Sequence, residues 1–358
     1  MARKMESLDN RIRCVGYAAK EPTGKLGTFK FDRRALGDHD VLIDVLYCGI
    51  CHSDVHKVRS EWGRSHYPIV PGHEIVGKVA DAGKGARGFR KGDIVGVGCM
   101  VDSCARCEAC RANAEYDCHN GTVWTYDSVE PSGGITYGGY SDRIVVKDSF
   151  TLKISKKADL AATAPLLCAG TTTYTPLRYW KIGPGQKVGI IGLGGLGHIA
   201  VKLANSLGAD VTVLTTSPGK VDDAVRLGAK GAIVISDANE MKKNHGSFDF
   251  ILDTASSKHD LNAFMALLKR NGKLVIVGIP KEQLEIHPFS LVDGHRVLAG
   301  SGLGGIKETQ EMLDYCASKG IGADVEAIPI QKVNEAYDRI VRGDVRYRFV
   351  IDMSSLNR

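Results

Sequence analysis

Cysteine and histidine are the side chains of this 358-residue chain whose spacing points most directly to chemistry. Cys104, Cys107, Cys110 and Cys118 form a Cys-x2-Cys-x2-Cys-x7-Cys run in "CARCEACRANAEYDC". Four thiolates in so short a loop fit a closed tetrahedral zinc site, which staples a lobe of little apolar content and leaves no position open for reaction. An iron–sulfur cluster would want the fourth cysteine after three residues, with a proline behind it; here it comes after seven and precedes His119. Reactive chemistry must come from "CGICHSDVH" (48–56), "PGHEIVG" (71–77) and "APLLCAG" (164–170). Cys51, His73 and Cys168 supply a Cys2His set of the kind that leaves a zinc one open position. Taken singly, Cys168 also reads as a core cysteine and His73 as an interior histidine, and spacing alone does not bring three distant residues together.

A second chemistry lies in "KVGIIGLGGLGHIAVKLANSLGADVTVL". A predicted strand over 187–191 runs into Gly192-Leu193-Gly194-Gly195-Leu196-Gly197 and then into a helix ending near Leu207. Gly192 permits a tight turn, Gly194 lets backbone approach a pyrophosphate, and Gly197 allows the helix to pack against the strand. The helix start offers amides and a positive dipole end to phosphate. At the end of the next strand, "VTVLTTSPGK" (211–220) holds no Asp or Glu, the residue that normally grips the ribose hydroxyls of NAD. Thr215, Thr216, Ser217 and Lys220 stand there instead, with no carboxylate to repel a 2′-phosphate. The run favours NADP(H) over NAD; the blander reading is that Lys220 only starts the solvated face of the next helix.

The elements that must position these groups fall into two textures. Residues 12–160 carry short alternating or apolar runs such as "DVLIDVLYCGI" and "GDIVGVGC", cut by Gly and Pro, which predicts an antiparallel, barrel-like β domain. From about 165 to 301, "KVGIIGL", "VTVLTT", "AIVIS", "FDFILDT", "KLVIVGI" and "RVLAGS" alternate with helical stretches, which predicts a parallel sheet of βαβ units. The last part reads as two helices and a strand of ambiguous allegiance. Length and a charged content of 25% fit a two-domain soluble α/β protein. The net charge of +6 is scattered without Lys/Arg runs, so neither nucleic acid nor membrane is expected as a partner. The N-terminus "MARKMESLDNRIRC" has no apolar export core, and ten cysteines without an export signal suit a reducing cytoplasm and metal ligation.

Several motifs carry a family resemblance. "GHEIVGKVADAGKGA" resembles the zinc signature of the medium-chain alcohol dehydrogenases, and "CGICHSD", the four-cysteine lobe, "PLLCAGTT", "GLGGLG" and "DVRYRFVIDM" follow in family order. "GICHSDVH", "YPIVPGHE", "VGVGCMVDSC", "PLLCAGTTTY" and "KETQEML" are most similar to the cinnamyl alcohol dehydrogenase branch, NADPH-linked aldehyde reductases. The resemblance implies a GroES-like catalytic domain over 1–166 and 303–358, with its zinc lobe at about 99–120, and a doubly wound Rossmann domain over 167–302.

It also implies roles. Cys51, His73 and Cys168 would hold a catalytic zinc, with Glu74 behind it able to replace water, while Cys104, Cys107, Cys110 and Cys118 hold a structural one. Asp54 would orient His73, Ser53 would bond the substrate oxygen and start a proton relay through the cofactor ribose to His56, and His52 and Arg348 would meet cofactor phosphates. Thr172, Thr254, Gly278, Ser301, Gly302 and Leu303 would join the glycine turn and the 215–220 run around NADP(H). Trp62, Cys99, Trp124, Ile279 and Leu303 would line an apolar pocket for aromatic, allylic or medium-chain aldehydes, although either Trp also reads as core. Gly302 stands where plant cinnamyl enzymes carry a bulky aromatic, implying a roomier pocket, and Pro218-Gly219 departs from the family's polar pair. A homodimer is implied. Rival readings are an NAD-linked polyol dehydrogenase, which would carry an acid near 216, a zinc-free quinone reductase, which would lack Cys51 and the cysteine lobe, and a zinc-ribbon nucleic-acid binder, which would not explain the glycine turn.

Overall fold

The computed structural model describes residues 11–356; most of the charged N-terminal stretch lies outside the described residues. The chain divides into two compact units, Met1–Cys168 with Gly305–Ala317 and Asp324–Arg358, and Ala169–Gly304 with Ser318–Ala323. The second unit thus reclaims a short piece, 318–323, from the C-terminal stretch that the family resemblance gave wholly to the first domain.

The first unit is built on a seven-stranded, largely antiparallel sheet. Its path runs Val325–Pro329, Arg348–Asp352, Asp40–Gly49, Ile75–Ala82, Ile94–Val97, Leu152–Lys153, with Arg143–Lys147 also paired to Asp40–Gly49. The period-2 pattern of "DVLIDVLYCG" explains the central strand: Val41, Ile43 and Val45 are buried β-branched residues between half-exposed neighbours. A register shift between Val45 and Tyr47 then breaks the alternation, and Cys48 and Gly49 turn inward instead of Tyr47. Because Val350 lies opposite Gly49 and Ile75 opposite Cys48, the ends of three strands meet just before Cys51. The strand Val325–Pro329 went unread in the sequence; it is short, mostly exposed, and ends in a proline at the sheet edge.

The second unit contains a six-stranded parallel sheet in the order Gly231–Val234, Asp210–Thr215, Lys187–Ile191, Phe248–Asp253, Leu268–Ile276, Val297–Gly300. The order reverses direction between Lys187–Ile191 and Phe248–Asp253, the switch point at which doubly wound sheets open a crevice for ligands. These strands read as continuous apolar runs because both faces are covered, and Phe248, Ile251, Leu252 and Leu274 are wholly buried. Helix Gly197–Ser206 packs on them through Ile199, Ala200, Leu203 and Ala204, all at zero exposure.

The glycine turn shows why its residues have no side chains. Gly192 takes φ +84°, in the left-handed region, and a Cβ on Gly197 would lie 2.1 Å from the Gly192 carbonyl oxygen. Around Gly194 there is nothing within 4 Å. Gly197→Ala is therefore expected to cost about 1–3 kcal/mol in urea unfolding of the chain, by forcing helix and turn apart. Gly194→Ala should leave stability within about 0.5 kcal/mol of wild type; equal losses in the two variants would refute this account of the turn.

Candidate active site

Helix His52–Val58 begins at Cys51, which serves as its N-cap. Its third residue, Asp54, reaches back so that Oδ2 accepts from the Cys51 amide at 2.9 Å. The other oxygen accepts from the Gly72 amide at 3.1 Å and from His73 Nδ1 at 3.0 Å. With Nδ1 committed to this wholly buried carboxylate, His73 turns Nε2 outward as its free donor atom, the usual arrangement for a metal-binding imidazole. Ligand atoms of Cys51, His73, Glu74 and Cys168 all lie within 4.8 Å of one another. Cys51, His73 and Glu74 are buried, and Cys168 ends the short turn Ala164–Leu167.

Glu74 carries the clearest mark of something unprovided for. Arg348 Nη2 donates to Glu74 Oε1, whereas Glu74 Oε2 is buried with no hydrogen-bond partner. A Cβ on Gly49 would lie 2.0 Å from that same oxygen, so only glycine leaves the carboxylate room. Burial pushes the Glu74 carboxyl up to about 8, against the pull of the Arg348 guanidinium. Two thiols, an imidazole and an orphaned buried carboxylate oxygen are the donor chemistry that zinc takes, so the set fits that ion. Arg348, expected from the resemblance to meet cofactor phosphates, is itself buried and engaged by Glu74.

Outside this set, Ser53 Oγ lies 3.4 Å from His73 Nε2. His52 stacks on His56 at 4.8 Å between centroids, and His56 on Trp62 at 4.6 Å. Trp62 is 42% exposed, which removes its alternative reading as core. Glu61 pairs with His56 Nδ1; sequence reasoning missed it, because a lone acid five residues on gives no spacing signal. Cys99 is half-buried within hydrogen-bonding reach of Cys168 and His73, and Trp124 meets Tyr116 edge to face at 5.7 Å. Ile279, which is exposed, and Leu303 belong to the other unit.

The four-cysteine loop also gathers its ligands, with sulfurs within 4.8 Å of one another. Cys107 N donates to Cys104 Sγ and Cys104 N to Cys118 Sγ, each at 3.4 Å. The Arg106 amide, an Asn120 side chain and the Cys107 amide hold the Cys104 thiol down to about 5, which favours the ligating thiolate. All ten cysteines are free of disulfides. The loop is tied to helix Ile306–Lys319: Glu115 Oε2 accepts from the Ile306 amide at 3.0 Å, and Gly305 passes so close that a Cβ would lie 1.8 Å from the Asn113 carbonyl oxygen.

In the second unit, Lys220 Nζ donates to the Leu193 carbonyl at 3.0 Å, so the lysine reaches over the glycine turn and is not simply a solvated helix start. Thr215 is buried, and its Oγ1 accepts from the Ser217 amide, while Thr216 is exposed. Across the switch point Thr254 Oγ1 donates to the Ile191 carbonyl at 2.7 Å, and a Cβ on Gly278 would lie 2.2 Å from the Ala255 carbonyl oxygen. Thr172 lies in helix Ala169–Tyr179, and the Ser301 amide, just before Gly302, donates to Ile276.

Known proteins resemble the chain along almost all of its length. Residues 37–156 match the alcohol dehydrogenase GroES-like domain family and residues 195–318 the zinc-binding dehydrogenase family. A mannitol dehydrogenase of Petroselinum crispum is 52% identical over 92% of this chain and 98% of its own. An NADP-dependent alcohol dehydrogenase of Mycolicibacterium smegmatis is 51% identical over 95% of this chain and 98% of its own. Among solved structures, a cinnamyl alcohol dehydrogenase of Sorghum bicolor superposes with a TM-score of 0.94 at 44% identity, covering 97% of this chain and 99% of that one. With both family domains in order on a doubly wound sheet and a GroES-like unit, the chain belongs to the zinc-binding alcohol dehydrogenases, among relatives of the cinnamyl type.

Proposed function

We propose that this chain is a zinc-dependent, NADP(H)-linked alcohol dehydrogenase that reversibly reduces aromatic, allylic or medium-chain aldehydes. The observation that carries this reading is the gathered Cys51–His73–Cys168 set, with His73 locked by Asp54 and an orphaned Glu74 oxygen beside it. A bound zinc would supply Lewis acidity at the carbonyl oxygen, and NADPH the hydride.

The chain's own residues do the rest. Asp54 fixes the tautomer of His73, and Arg348 holds Glu74 by one oxygen beside the thiols. Ser53 Oγ, next to His73 Nε2, would donate a proton to the substrate oxygen. His56 follows it one turn along the same helix, with Glu61 on Nδ1 to hold the ring. In the second unit, Lys220 beside the glycine turn, with Thr215, Thr216 and Ser217, supports the choice of NADP(H), since a 2′-phosphate needs cationic and hydroxyl partners and no acid.

Mannitol oxidation is the second reading, favoured by the name of the Petroselinum crispum relative. We also read the protein as cytoplasmic and homodimeric. Its strand Val297–Gly300 is one of the two edges of the parallel sheet and half-exposed, with Phe289 and Val292 exposed nearby in sequence, and no described helix is long and apolar enough to cross a membrane.

Initial rates with cinnamaldehyde, benzaldehyde, hexanal and, in the reverse direction, mannitol should show aldehyde reduction with kcat/KM at least tenfold higher for NADPH than for NADH. Turnover of mannitol alone, or equal use of both cofactors, would overturn the assignment. Lys220→Ala should raise the NADPH KM roughly tenfold or more with little change for NADH. Elemental analysis coupled to light scattering should find two zinc ions per chain in a particle of twice the chain mass, and a chain with one zinc or none would refute the two-site reading.

A further inference from the structure

Asp54 can aim His73 only if the carboxylate is itself prevented from turning. Its two oxygens share four donors evenly: Oδ1 takes His73 Nδ1 and the Gly72 amide, while Oδ2 takes the Cys51 amide and, at 3.3 Å, the hydroxyl of Tyr140. Tyr140 comes from 86 residues further along the chain and is wholly buried.

The backbone around it is pinned with unusual closeness. Gly138 N donates to Val70 O at 2.7 Å, Gly139 N to Gly72 O at 2.8 Å, and Tyr140 N to Pro71 O at 3.0 Å, while Tyr140 O accepts from Tyr17 N at 2.8 Å. The run Gly138–Tyr140 is thus laid along the very segment that ends in His73. A Cβ on Gly138 would lie 2.4 Å from the carbonyl oxygens of both Pro71 and Gly72, and one on Gly139 would meet Ile75 at the same distance. From the other side, a Cβ on Gly72, which takes φ +103°, would lie 2.6 Å from the Tyr140 ring. Gly138 and Gly139 thus let the two stretches of backbone lie against each other, and Gly72 clears the space into which the phenol is set.

We propose that Tyr140 is a positioning residue for the catalytic metal set, its hydroxyl holding the Asp54 carboxylate in the plane that aims His73 Nε2 at the other ligands. Without it the carboxylate loses one of its donors and gains freedom to rotate and to release the imidazole. The neighbouring tyrosines sharpen the contrast. The Tyr126 ring lies 5.8 Å from that of His73, and its hydroxyl also faces Asp54. The buried Tyr337 hydroxyl faces that of Tyr140 and makes no hydrogen bond to the carboxylate, so its removal takes no donor from Asp54. The inference rests on the two-zinc reading above.

The test is zinc release from the loaded, full-length protein to excess chelator, read with a chromogenic indicator, for wild type, Tyr140→Phe and Tyr337→Phe. The wild type should release zinc in two kinetic classes, of which Cys51→Ser lacks the one belonging to the catalytic set. Tyr140→Phe should release that class about 3- to 10-fold faster, below the 10- to 100-fold typical when a direct partner of a metal-bound histidine is lost. Its four-cysteine class should stay within about twofold, its melting temperature should be kept, and Tyr337→Phe should match wild type in both classes. Fluorotyrosine at 140, a stronger donor of nearly the same shape, should slow the release, which keeps the inference testable if the Phe variant folds poorly. Unchanged release in both Tyr140 variants, or equal acceleration by Tyr337→Phe, overturns the inference. Fewer than two zinc ions in the wild type instead overturns the reading on which it rests.

Discussion

Asp54 has no exposed surface, and a buried carboxylate without donors is costly enough to unsettle a domain. Each of its four donors is also a positional constraint. The Cys51 amide ties it to the start of a helix, the Gly72 amide to the approach of a central strand, His73 to the ligand set, and Tyr140 to a segment much further along the chain. Satisfying one polar group thus fixes the relative placement of three pieces of backbone. The thiol of Cys51 and the imidazole of His73 then fall together because their main chains are already held by the same two oxygens.

The second unit works by a different constraint, close approach without side chains. Gly192 and Gly197 let a helix start almost on top of the strand that precedes it, and Gly194 leaves open space above the turn. Lys220 then brings a cation to the Leu193 carbonyl, at the rim of that space. Geometry and charge are thereby separated: the glycines make the cavity and the lysine sets its sign.

The second unit was the more legible in the sequence. Six apolar runs correspond to six strands, because buried parallel strands show no alternation to confuse with a helix and lie between clear helical stretches. The four-cysteine loop was equally plain, its ligands lying within fifteen residues. Cys51, His73 and Cys168 were legible as residue types, yet only family resemblance brought them together, since contacts between distant segments leave no periodic trace. Tyr140 escaped for the same reason, although two glycines ahead of a tyrosine were a hint of backbone packed against backbone, and Glu61 escaped because a lone acid five residues on fits no repeat. The pairing of Arg348 with Glu74 was not legible, because a motif locates a cation along the chain without saying which anion it faces.

The cysteine lobe looks like an appendage, but Glu115 and the Asn113 carbonyl grip the start of helix Ile306–Lys319, with Gly305 as the only residue small enough to pass. Positions 115 and 305 are therefore expected to covary among relatives, as parts of one lock. A lobe grafted from another family member would need its matching glycine brought along, however well its four cysteines bound their ion.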